Sequence, residues 1–150
     1  MKRWFTLTSC AALSIGTILI ACTACATDAP LIVRPENLKW FSPPGNPALQ
    51  GAWVIGSEQS RGAYVLRVNL AAGGRIPPHI HPDERNTTVL SGTLYVGFGN
   101  SFDEAKMMAI PTGGVYLAPA HVAHYVWAKE GDVIYQEAGS GPTATTPVKP

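Results

Sequence analysis

Seven consecutive residues, Tyr64-Val65-Leu66-Arg67-Val68-Asn69-Leu70, place Tyr64, Leu66, Val68 and Leu70 on one face of an extended chain, opposite Arg67 and Asn69. Side chains of a strand alternate faces with period two, so this is the signature of a half-buried β-strand. The run ends in the turn Ala71-Ala72-Gly73-Gly74, and comparable short β-rich runs recur down the chain. They are Ala52 to Gly56, Thr87 to Leu90, Thr93 to Phe98, Val115 to Leu117, His124 to Trp127 and Val133 to Glu137, each closed by a Gly or Pro turn. Fifteen glycines and thirteen prolines leave little room for long helices. Many short strands at regular turn spacing imply an all-β sandwich or barrel. The exception is Asn100 to Ala109, a short predicted helix with Ser101 as N-cap and Glu104 three residues on.

A chain of 150 residues with 46% hydrophobic residues supports one core. Residues 1–26 read as a signal peptide: Lys2 and Arg3 precede a largely apolar, uncharged stretch from Trp4 to Ile20, and Ala24-Cys25-Ala26 offers a cleavage site. Leu19-Ile20-Ala21-Cys22 gives an alternative, a lipoprotein leader ending at residue 21 with a lipid anchor at Cys22. Both readings imply an exported protein. Cleavage after Ala26 would remove Cys10, Cys22 and Cys25 and leave a cysteine-free domain, so no disulfide framework is expected. The rest of the chain holds nearly equal numbers of acidic and basic residues and no basic run, which argues against a nucleic-acid partner. Residues 27–47 read as an N-terminal extension with one short strand at Leu38 to Phe41, and residues 140–150 as a flexible, Gly/Pro/Thr-rich tail.

The chemistry is concentrated in the histidines. His79 and His81 at i and i+2 share one side of a strand, about one metal-ligand bite apart, and His124 on a later strand could close the site. Two histidines can also merely line a polar cavity. No nucleotide-binding glycine loop and no nucleophile elbow is present.

Gly73-(five residues)-His79-Ile80-His81 followed by Gly92 resembles the first cupin motif, and Gly113-(five residues)-Pro119-Ala120-His121-(two residues)-His124 resembles the second. The resemblance covers most of Gly51 to Gly139 and implies a cupin domain over residues 48–139, a jelly-roll β-barrel (double-stranded β-helix). The segment Gly97-Phe98-Gly99-Asn100-Ser101-Phe102-Asp103 is similar to one common in small exported bacterial cupins; together with the leader, the resemblance implies a periplasmic protein, or a membrane-anchored lipoprotein if Cys22 is lipidated. The family carries a glutamate in the first motif where this chain has Arg85, with Glu84 one position early; in the second motif, His121 replaces a glycine and Ala128 an asparagine.

Three site chemistries follow. His79, His81 and His124 bind a divalent transition metal (Fe, Mn, Zn, Ni or Cu) together with Glu84; or the three histidines bind it alone and leave positions open for substrate; or the barrel holds a small molecule without metal. Arg85 shares parity with His79 and His81, so an uninterrupted strand would turn it inward to hold a substrate carboxylate, with His121 as an accessory pocket residue. Val126 shares parity with His124 and should line the barrel, while Tyr125 and Trp127 face away. The implied function is a small-molecule oxygenase or isomerase. The alternatives are a non-catalytic periplasmic binding or sensing module, and a lipid-tethered envelope protein in which the barrel is only structural. Cupins often pair through sheet edges, so a homodimer is implied as well.

Overall fold

In a computed structural model of the chain, residues 30–149 are described. The leader, its two candidate cleavage points and all three cysteines lie outside the described residues. Ten strands run through the rest: β1 (Leu49–Ile55), β2 (Gly62–Leu70), β3 (Arg75–Ile80), β4 (Arg85–Ser91), β5 (Thr93–Phe98), β6 (Met108–Pro111), β7 (Val115–Ala118), β8 (His124–Trp127), β9 (Val133–Gly141) and β10 (Thr146–Pro147). They form two antiparallel five-stranded sheets, ordered β1-β2-β9-β4-β7 and β10-β3-β8-β5-β6. This is the jelly-roll arrangement expected from the sequence.

The alternation in β2 explains how the first sheet meets the core. Tyr64, Val68 and Leu70 are buried. On the opposite face Arg67 sits directly across from Gln136 of β9 and donates to its side-chain carbonyl at 2.6 Å. β9 repeats the pattern, with Val133, Tyr135 and Glu137 turned inward, and β4 turns in Arg85, Thr87 and Val89. The second sheet contributes Leu94, Val96 and Val126 to the same core, while Tyr125 packs on the other side against Phe102, ring centroids 4.9 Å apart. Gly92 makes the sharp link between β4 and β5. Its φ is +81°, and a Cβ there would stand 2.5 Å from the carbonyl oxygen of Asp132, so only glycine fits.

Three sequence expectations fail, each for a local reason. The helix over Asn100 to Ala109 shrinks to a 3₁₀ turn at Glu104–Lys106, and Asp103, not Ser101, caps it by accepting from the Ala105 N–H. Phe102 is held against Tyr125 and Trp127, and Met108 onward is claimed by β5 as strand β6. Too few residues remain to nucleate a helix. The strand at Leu38 to Phe41 reduces to a single bridge between Phe41 and Gly51, with the Phe41 ring lying against the glycine. The tail is not frayed: β9 continues through Gly141, Thr143 is buried, and β10 pairs with β3 opposite His79 and Ile80. The open edge of β3 supplies a partner that composition alone does not reveal.

Candidate metal centre

His79 lies on β3 and His124 on β8, directly across from one another in the ladder, and His81 follows at the end of β3. Pro77 and Pro78 interrupt the pairing between Ile76 and His79, and this irregularity sets the register that brings His79 to His124. Ring centroids are 4.4 Å apart for His79 and His124, 4.9 Å for His79 and His81, and 5.2 Å for His81 and His124. The ligand atoms of the three all lie within 4.8 Å of one another, and all three side chains are buried.

Each ring is anchored through Nδ1. His79 Nδ1 lies 2.8 Å from the Pro77 carbonyl, His81 Nδ1 2.8 Å from the Ala144 carbonyl, and His124 Nδ1 3.2 Å from the Val122 carbonyl. A carbonyl only accepts, so each Nδ1 carries the proton and each Nε2 keeps its lone pair. Burial supports the same state. It is the main force pushing His79 down to about 4, with His124 adding to it, and the main force pushing His81 to about 4, with Arg85 adding to it. Burial lowers His124 too. At neutral pH the site is three neutral imidazoles. His81 Nε2 is buried and has no hydrogen-bond partner, which is costly for a polar atom unless something else uses it. A carbonyl accepting from Nδ1–H and a bare Nε2 are what a histidine metal ligand needs. The donor set is all nitrogen, and it suits a borderline divalent transition metal.

The other sequence candidates fall elsewhere. Glu84 is exposed in the turn before β4 and is not part of the three-histidine group, so the ligand set that includes it is not formed. Arg85 is buried, but its Nη1 is taken by Glu137 Oε2 at 2.6 Å and its Nη2 donates to Thr143 Oγ1 at 2.8 Å. It is therefore not a free clamp for a substrate carboxylate. His121 is exposed, and it meets the site through its main chain, donating its N–H to the His81 carbonyl at 2.8 Å. It adopts φ +62°, the left-handed conformation that the glycine of the family motif would take without strain.

Sequence reasoning missed Glu137. This carboxylate is buried in the barrel, and it is close enough to favour the protonated forms of His79 and His124, against the effect of burial. Its parity with Val133 and Tyr135 was the available signal. Arg85, Glu137, Thr143, Asp83 and Tyr64 form one chain of polar contacts: Thr143 Oγ1 donates to Asp83 Oδ1 at 2.5 Å and Tyr64 Oη to Asp83 Oδ2 at 2.6 Å. Tyr116 and Phe98 close the His124 side, with centroids 6.4 and 6.3 Å from its ring.

A two-sheet barrel carrying three inward histidines on facing strands defines a class of small-molecule and metal-binding domains. The chain belongs to the cupin superfamily: residues 66–136 match the model of the cupin domain. It is 31% identical over 127 residues to putative germin-like protein 2-1 of Oryza sativa subsp. japonica, covering 77% of this chain and 59% of that protein. It is 37% identical over 68 residues to germin-like protein 5-1 of the same plant, covering 43% of this chain and 30% of the relative. The chain thus spans about three fifths of the length of the first relative and under a third of the second. Among solved structures, the polyketide cyclase RemF from Streptomyces resistomycificus superposes with a TM-score of 0.68 at 15% identity, covering 81% of this chain and 87% of that one. KdgF from Halomonas sp. superposes with a TM-score of 0.61 at 19% identity, covering 75% and 94%. Both show the fold.

Proposed function

We propose that this chain is an exported metalloenzyme acting on a small molecule, of the oxygenase or isomerase type, with His79, His81 and His124 as the ligands of one divalent transition metal. The observation that carries the proposal is the set of three Nδ1···carbonyl contacts, which leaves each Nε2 free to ligate in three rings whose ligand atoms lie within 4.8 Å of one another, the Nε2 of His81 having no other partner. An ion held by three neutral ligands would keep its full charge and open coordination positions, and so would act as a Lewis acid toward a bound substrate. The chain's own residues do the rest. The carbonyls of Pro77, Val122 and Ala144 fix the rings, and Phe98 and Tyr116 flank the ring of His124.

Export is supported by the charged and apolar leader of the sequence. Membrane fractionation of Cys22→Ala distinguishes the two leaders: release into the soluble fraction supports the lipid anchor, and unchanged membrane association excludes it. For the metal, elemental analysis of the protein reloaded in turn with Fe, Mn, Zn, Ni and Cu salts should find about one equivalent of at least one ion, and His81→Ala should lose it. Occupancy below about 0.1 equivalent for every ion after reloading sinks the proposal.

A further inference from the structure

Apart from the metal centre, the first sheet walls a cavity of about 510 Å³ that none of the three histidines lines. Leu49 and Trp53 of β1 and Leu66 and Val68 of β2 face it, and Phe41 and Pro44 border it from the segment before β1. The ladder brings these side chains together: Trp53 stands opposite Leu66, and Gly51 opposite Val68. The Phe41 ring lies against Gly51, where a Cβ would stand 2.6 Å from it, so the glycine is what lets this ring reach the wall. The volume falls within the range usual for small-molecule sites, roughly 300–1,000 Å³.

The polar side chains at its inner end are spent on one another. Arg85 Nη1 is engaged by Glu137 Oε2 at 2.6 Å, and Nη2 donates to Thr143 Oγ1 at 2.8 Å. Arg85 Nε is buried, out of reach of an occupant. The Thr143 hydroxyl, which accepts from Arg85, donates in turn to Asp83 Oδ1. Ser42, Glu58 and Thr145 also line the cavity, but all three are exposed, so water already serves them. An entering polar group therefore finds no buried hydroxyl or charged group within reach that still needs it, and it would lose water without compensation. Charge works in both directions against an ion. Glu58 in the lining and the Asp83 and Glu137 carboxylates beside Arg85 disfavour an anion, and the guanidinium itself disfavours a cation. Apolar surface meets no such penalty and gains in proportion to the area buried.

We propose that this cavity is a binding site for an uncharged, hydrocarbon-like small molecule, held by burial against Trp53, Leu66 and their neighbours and not by a polar anchor. Two of its lining residues, Phe41 and Trp53, are aromatic, which suits an occupant with a ring. The site stands whether or not the metal centre is catalytic.

Headspace partitioning of toluene, ethylbenzene and propylbenzene over the full chain, metal-loaded and chelated, tests it. Each added methylene should tighten binding about threefold to fourfold, the worth of one buried CH₂ group. Equilibrium dialysis with three probes of similar size supplies the contrast. Propiophenone should bind no tighter than propylbenzene, and 3-phenylpropanoate and 3-phenylpropylamine, both charged at neutral pH, about tenfold more weakly or worse. The order should hold after chelation, which separates this site from the metal proposal. Leu66→Trp should fill the cavity and abolish binding of the hydrocarbons while metal content stays at the wild-type value. No binding of propylbenzene, no gain from toluene to propylbenzene, or an order that exists only with metal loaded would each overturn the proposal. So would tighter binding of the ketone, acid or amine than of propylbenzene, or full binding by folded Leu66→Trp. Should Leu66→Trp not fold, the order of the probes on the unmodified chain decides the matter.

Discussion

Replacing Arg85 by methionine tests whether the buried ion pair, rather than a substrate role, explains the arginine. The pair is short and dry: Nη1 is 2.6 Å from Glu137 Oε2, and the side chains are 5% and 7% exposed. Arg85→Met keeps much of the aliphatic volume but leaves the Glu137 carboxylate buried with no cation. Breaking a buried pair on one side costs about 3–5 kcal/mol, because the remaining charge has lost water without gaining a partner. Asp83 should survive the change, since Tyr64 and Thr143 both donate to it. The double variant Arg85→Met/Glu137→Leu removes both charges and should recover most of the loss, ending within about 1–2 kcal/mol of the parent. Urea unfolding of the chelated protein at constant pH, with all four members of the cycle, gives the coupling directly. A single substitution that costs under about 1 kcal/mol, or a double variant as unstable as the sum of its parts, would refute the reasoning.

Three further outcomes follow from the geometry. Without metal, stability should fall by about 3 kcal/mol or more as the pH drops from about 6.5 to about 4, because the unfolded histidines take up protons that buried His79 and His81 resist until about 4. The loss is absent above the unfolded value; urea midpoints against pH should show it, and a His79→Gln/His81→Gln variant with the same slope would contradict the assignment. His121→Gly should raise stability by about 1 kcal/mol by relieving the left-handed backbone at φ +62°, and a lower midpoint in thermal unfolding would mean the imidazole makes an offsetting contact. Gly97→Ala should cost about 1–3 kcal/mol, since its Cβ would stand 2.3 Å from the Tyr125 ring; unchanged unfolding would show that this ring moves freely.

What the sequence made legible is what depends on nearest neighbours. Period-two alternation marks β2, and the bounds of β5 and β8 agree with the runs Thr93 to Phe98 and His124 to Trp127. The three histidines were legible because parity and motif spacing coincide on them. The Arg85–Glu137 pair was not: its members are 52 residues apart, and nothing local marks an arginine on β4 as the partner of a glutamate on β9. The exposed Glu84 shows the converse error. A carboxylate adjacent in sequence to the motif looked available, yet parity turns it out of the barrel while Arg85 turns in. The region Asn100 to Ala109 misled for a different reason. Its capping pattern is real, but Phe102 packing and the β5–β6 ladder outweigh a weak local preference.

The three carbonyls behind the histidines come from separate parts of the chain: Pro77 within β3, Val122 in the turn before β8, and Ala144 in the segment after β9. A ring held on one side by a main-chain acceptor loses rotational freedom during folding, so that cost is met before any ion arrives. For His81 the holding group belongs to the very segment that composition marks as a tail. β10 secures this segment against β3 at His79 and Ile80, and Thr143 ties it to Arg85 and Asp83. The same few residues therefore orient the His81 ring and, through Thr143, complete the polar cluster around the Arg85–Glu137 pair.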